Sequence, residues 1–216
     1  MFYDVYGSGT RVYRYAWEDL SFVDWVKTPC ESCGRNISKT EYEPGGHRLV
    51  LEGGKRYPDF LAFTGAGERI FLVSERALEV FTQNQVSGIA SWERVSCVSE
   101  MVRGKYMEPQ GEAPNYWKLN ISGRVDLDMK AMFLKKKHRC DKCGQFVWNR
   151  ERLYPMYLDP NTWDGSDLCR ITSIPGHVVC SDKLVRLIKK YSLKGACLEE
   201  IRERVEREPT ADNGVR

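Results

Sequence analysis

The sequence predicts an α+β protein made of two related, strand-rich halves, and three observations carry that prediction. The stretch from Phe71 to Leu78 matches that from Val178 to Val185 in polarity at every position except one, where Val73 faces Cys180. A Cys-x-x-Cys-Gly motif lies upstream of each copy, at Cys30 to Gly34 and at Cys140 to Gly144. Short runs of β-branched and aromatic residues occupy much of the remaining chain, as strands require. Motif and echo recur in the same order, so duplication of a half of roughly 100 residues is the economical reading. The halves are 1–105 and 106–201, followed by a charged tail at 202–216.

Taken in order, Thr10 to Trp17 is rich in β-formers and reads as a strand. In each echoed unit an apolar run leads into a serine, Ser74 or Ser181, whose hydroxyl can cap a helix by accepting from a backbone N–H two or three residues on. Glu75 or Asp182 follows in the first turn, where the helix dipole favours a negative charge. Leu184, Val185, Leu187, Ile188 and Tyr191 repeat at helical spacing, as Ala77, Leu78 and Phe81 do in the first copy. Gly88 and Gly195 fall at one offset and let the chain reverse. Strands are expected after them, over 89–95 and 196–201. Gly104 to Asn115, with Pro109, Gly111 and Pro114, reads as the connection between halves. Tyr116 to Ile121, followed by Ser122-Gly123 and then Arg124 to Asp128, reads as a hairpin. Beyond Arg202 charge dominates, which suits a loose tail.

Composition excludes several classes. No apolar run approaches the roughly 18 residues of a membrane span. The first residues lack the basic start, apolar stretch and small-residue site of an export signal, so a cytoplasmic protein without a membrane partner is predicted. Lys and Arg number 33 against 30 Asp and Glu, a net charge of +3 that gives no reason to invoke nucleic acid. Eight cysteines in such a chain point to metal or redox chemistry rather than to a disulfide framework.

Cys30 and Cys33, like Cys140 and Cys143, are spaced so that two thiolates can point from one tight turn at a single ion, with Gly34 or Gly144 relieving the backbone. Together they supply the four sulfurs of a tetrahedral structural zinc, provided a pseudo-symmetric pairing of the halves brings the two knuckles together. Buried free thiols, redox use and separate sites are the rival readings. A thioredoxin-like dithiol would open a helix after a strand, a context neither motif has. Cys180, in an apolar run, reads as core. His138 lies two residues before Cys140 within Lys135 to Arg139, a run better suited to a solvated face than to phosphate. A zinc-knuckle nucleic-acid-binding protein is nevertheless the alternative reading.

Catalytic signatures are missing. His47, His138 and His177 are the only histidines, and none belongs to a His-Glu-x-x-His or stands beside a Gly-x-Ser-x-Gly. The glycine pairs lack the Gly-Lys-Ser/Thr ending of a phosphate loop, and Asp126 with Asp128 is the kind of carboxylate pair that a chain this acidic produces freely. The prediction is a protein that is not an enzyme.

The paired motifs at Cys30, Cys33, Gly34, Cys140, Cys143 and Gly144, with the Val-Ser-Glu-Arg and Cys-Ser-Asp-Lys helix starts, resemble the double-CxxCG family of bacterial immunity proteins, similar to the Sit-type. The chain departs from that pattern at Glu31, where proline is common, and at Pro29 before it. The resemblance implies a partner, the cognate domain of a polymorphic toxin delivered by kin, and a stoichiometric binder that neutralises it without catalysis. Trp148 and Trp163, in polar surroundings, are candidate anchors for such an interface, although core packing is the commoner fate of tryptophan.

Overall fold

The computed structural model describes residues 1–7, 14–18, 23–32, 36–42, 48–53, 56–64, 70–102, 105–107, 115–128, 131, 140, 142, 156–174 and 177–201. The molecule is α+β, and the described residues form two large sheets, one separate hairpin and two α-helices. No helix among them is long and apolar enough to cross a membrane.

The first sheet contains β2 (Arg14–Glu18), β5 (Arg48–Gly53), β6 (Phe60–Thr64), β7 (Leu72–Ser74), the long β8 (Ile89–Val102), its short partner β9 (Lys105–Met107) and β10 (Tyr116–Ile121). Its order is β10-β7-β6-β2-β5-β8-β9, and β8 also pairs with β10, so six of the strands form a closed ring. The second sheet runs β12 (Leu158–Asp159), β11 (Gly123–Leu127), β13 (Leu168–Ile171), β14 (Val178–Ser181), β1 (Phe2–Gly7) and β15 (Ala196–Ile201). Strands β3 (Val23–Pro29) and β4 (Asn36–Tyr42) form the separate hairpin.

The two sheets are copies of one arrangement. Read as β8-β10-β7-β6-β2-β5 and β15-β1-β14-β13-β11-β12, they match strand for strand. In both, the pairing of the fourth and fifth strands is parallel and the other four pairings along this order are antiparallel, whereas the parallel pairing of β5 with β8 that closes the ring belongs to the first sheet alone among the described residues. The copies are interlocked, because the first strand of each repeat lies in the other's sheet. β1 precedes the first repeat but sits between β14 and β15, while β10 precedes the second and sits between β7 and β8. Registers agree as well: Phe2 faces Ser181 as Tyr116 faces Ser74.

This exchange corrects the hairpin expected over 116–128. β10 and β11 belong to different sheets, and Ser122-Gly123 is where the chain crosses between them. Both residues donate their N–H to the Gly88 carbonyl, at 2.9 and 3.2 Å. A Cβ on Gly123 would collide with the Leu168 carbonyl oxygen, so the glycine serves a close backbone crossing rather than a turn.

The echoed units are strand, helix, strand. β7 leads into α1 (Glu75–Gln83) and then β8, and β14 leads into α2 (Asp182–Lys190) and then β15. Gln85 and Ser192, and then Gly88 and Gly195, take positive φ at matching positions of the turns that follow the helices. Ser74 caps α1 as expected, accepting from the Ala77 N–H at 3.2 Å. Ser181 stands at the N-cap of α2 but accepts no helix N–H, and its hydroxyl donates to Asp167 at 2.9 Å.

Strands buried on both faces divide the apolar interior into three clusters. Both helices pack into one shared core through Leu78, Phe81, Leu184 and Ile188, with Val5, Phe60, Leu119 and Leu168 from the sheets. Alternate positions point the other way. Leu72 and Tyr116 join Leu49 and Val95 inside the ring, and Val179 and Phe2 join Leu158 and Ile201 in the matching cluster of the second sheet.

Candidate metal centre

The pairing of β3 with β4 runs from Val23 opposite Tyr42 to Pro29 opposite Asn36, and Cys30 directly follows the last paired residue of β3. The hairpin lies between β2 and β5, and Cys140 lies between their counterparts β11 and β12. Cys30 and Cys140 therefore stand at matching points of the two strand orders.

Cys30 Sγ and Cys140 Sγ are 3.8 Å apart, and both residues are buried, at 5% and 3% exposure. Sulfurs joined in a disulfide would be about 2.05 Å apart. Two thiolates on a tetrahedral zinc, each about 2.3 Å from the metal, are separated by the tetrahedron's edge, about 3.8 Å. Glu31 and Lys142 form an ion pair across the same junction at 3.2 Å, but both are exposed and such a pair contributes little. Cys33, Cys143, Gly34, Gly144 and His138 lie outside the described residues. Among the described residues no three or more metal-ligating side chains cluster. Of the predicted ligands, then, the structure brings Cys30 and Cys140 together.

The other cysteines have a different chemistry. Cys180, in β14 with 1% exposure, packs in the shared core as its sequence context predicted, and burial followed by the nearby Asp4 pushes its thiol far up. Burial, reinforced by Asp164, pushes Cys169 to about 12, and burial with Glu100 pushes Cys97 to about 11. Thiols held so strongly protonated are poor nucleophiles.

Asp126, Asp128 and His177 make structural contacts. Asp126 Oδ1 accepts from the N–H groups of Leu127 and Ser173, and Asp128 Oδ1 from that of Ala131, so each carboxylate ties down backbone. His177 Nδ1 lies 3.3 Å from Asp4 Oδ2 in a mostly buried pair that links β14's approach to the exchanged β1. Trp163 is 39% exposed, stands edge-on to Phe2 with centroids 5.1 Å apart, and donates its indole N–H to the Ser166 carbonyl at 2.9 Å. Trp148 and His47 lie outside the described residues.

Sequence reading missed a groove against α1, lined by Glu75, Leu78, Glu79, Thr82, Trp92 and Trp117 and holding about 270 Å³. Its residues come from α1, β8 and β10, and only the pairing of β8 with β10 places Trp92 near Trp117.

A double-sheet α+β scaffold with two buried cysteines brought together at the joint is the class of protein these features define. Compared with models of known protein families the chain matches none, and no match was found among curated proteins.

Proposed function

We propose that this protein is an immunity protein, which binds and neutralises a cognate polymorphic toxin in the cytoplasm, and that Cys30, Cys33, Cys140 and Cys143 hold one structural zinc. The observation that carries the reading is the 3.8 Å approach of Cys30 to Cys140 across 110 residues of chain. It supports treating the two motifs as one site, the feature on which the resemblance to the double-CxxCG family rests. Four thiolates would close the coordination sphere and leave no position for water or substrate, so the metal's part is to hold the two knuckles together. The protein then acts by presenting a pre-ordered surface, which lowers the ordering cost of binding.

Native mass spectrometry of the purified protein is expected to give one zinc per chain, and Cys30→Ser or Cys140→Ser to give none. Metal-free wild-type protein would remove the shared site. For the partner, the toxin domain encoded beside this gene is co-expressed with and without the protein. Protection and a 1:1 complex on a sizing column are expected, with a Kd near nanomolar, about 12 kcal/mol of binding free energy. Undiminished killing with no complex would overturn the immunity reading.

A further inference from the structure

We infer that the groove against α1 is a receptor for an arginine or lysine side chain presented by a protein partner. The inference rests on the reading of this chain as a binder of another protein and names the chemistry of one contact.

The groove combines an aromatic wall with negative charge. Trp92 is 45% exposed, unusual for so large an apolar side chain, and Trp117 and Leu78 continue the apolar surface towards the core. The ionisable groups lining it are both carboxylates, Glu75 and Glu79. Glu75 accepts from Asn115 Nδ2 at 3.0 Å, and Arg94 in turn donates to Asn115, so the charge of Glu75 is partly answered. Glu79 is exposed and has no hydrogen bond or ion pair among the described residues. A purely apolar ligand would strip water from that carboxylate without replacing its hydrogen bonds, and an acidic ligand would be repelled. A long basic side chain meets both demands, laying its methylenes on Leu78 and an indole face while its cation reaches the carboxylate.

The duplication supplies an internal comparison. The structural counterparts of Trp117, Glu75, Leu78, Glu79, Thr82 and Trp92 around α2 are Tyr3, Asp182, Val185, Arg186, Lys189 and Leu198. The same scaffold is thus built with Arg186 and Lys189 in place of Glu79 and Thr82 and with Leu198 in place of Trp92, while an aromatic and an acid are kept at Tyr3 and Asp182, so neither the Glu79 carboxylate nor the exposed tryptophan is a requirement of the shared fold. The pairing of an exposed tryptophan with the Glu79 carboxylate is a property of one repeat. The chain as a whole carries +3, so a cation is drawn to this groove by local rather than overall charge.

The probes are three blocked pentapeptides, acetyl-Gly-X-Gly-X-Gly-amide, with X as arginine, norleucine or glutamate, titrated into the full-length protein. The readout is the indole N–H resonances in ¹H–¹⁵N NMR spectra, with Trp92→Phe and Trp117→Phe used to assign them. Saturable shifts of the Trp92 and Trp117 signals are expected with the arginine peptide. Binding at least tenfold weaker is expected with the other two peptides, and at least tenfold weaker for the arginine peptide with Glu79→Gln, whose thermal midpoint should match wild type because the side chain is exposed. No saturable shift, equal affinity for all three peptides, or unchanged affinity in Glu79→Gln would overturn the proposal. Toxin protection is scored separately. Peptide binding without protection would leave the groove standing and remove the immunity function, and protection without peptide binding would do the reverse.

Discussion

Asp59 and Asp167 do the same work in the two repeats, and each reaches across to the other. Asp59 accepts from the Ser74 hydroxyl of its own helix cap and from Arg76, and also from the backbone N–H of Lys194 in the turn after α2. Asp167 accepts from Ser181 and Lys183 of its own unit, and from the N–H and hydroxyl of Ser87 in the turn after α1. Each carboxylate therefore binds a helix start in one repeat to a helix end in the other. Burial works to raise the Asp167 carboxyl, but Lys183, the Ser87 N–H and the Ser181 hydroxyl outweigh it and hold the group below the usual carboxylate range. A depressed carboxyl stabilises the fold fully above its unfolded value, near 4, and that stabilisation is lost as pH falls through the lower folded value. Asp167→Asn should cost roughly 2–4 kcal/mol at neutral pH, since one partner of a hydrogen-bonded charged cluster is removed. Urea unfolding from pH 6 to pH 2.5 checks both parts: the variant's deficit should shrink towards the acid end, and a deficit independent of pH would contradict the linkage.

At the level of elements, the helices and their turns were legible in the sequence because their determinants are local. An apolar run, a serine, an acidic residue and a glycine at fixed offset recur in Phe71 to Gly88 and Val178 to Gly195, and the structure places a nine-residue helix in each. The strand exchange was not legible. Which strand lies beside β7 or β14 is decided by long-range register, and β1 and β10 share a pattern of burial but little identity. Ser122-Gly123 has the composition of a turn, and only the backbone of Leu168 beside it reveals a crossing. The proposed metal site was legible only as the spacing of its cysteines, and the approach of Cys30 to Cys140 across 110 residues was not. The serines also differ in a way sequence cannot distinguish. Ser74 accepts from Ala77 and donates to Asp59, whereas Ser181 only donates to Asp167. Ser74→Ala should therefore cost about 2 kcal/mol and Ser181→Ala about 1 kcal/mol, because only the former loses a cap as well as a hydrogen bond to a charged group. Equal losses in thermal or urea unfolding would show that the α1 cap adds nothing.

For the whole molecule, the exchange changes what the proposed zinc would be needed for. If the repeats met only at their cysteine knuckles, removing the metal would let them part. Instead β1 fills the space between β14 and β15, and β10 fills the space between β7 and β8. The shared core takes side chains from both helices and both sheets. Neither repeat can complete its own sheet. A chain divided at residue 110 gives one fragment with β1 but no β14 or β15 to receive it, and with β7 and β8 left unbridged; the other fragment has the converse defect. Each alone exposes strand edges and half a core, which should leave it unfolded or aggregated. Expressed together, the fragments 1–110 and 111–216 should copurify as a 1:1 complex whose circular dichroism matches that of the intact chain. The complex should survive a chelator, because strands and core hold it, while loss of the proposed zinc should lower its thermal midpoint. A folded, soluble single fragment would show that the repeats are independent units, and dissociation on chelation alone would show that the metal rather than the exchanged strands joins them.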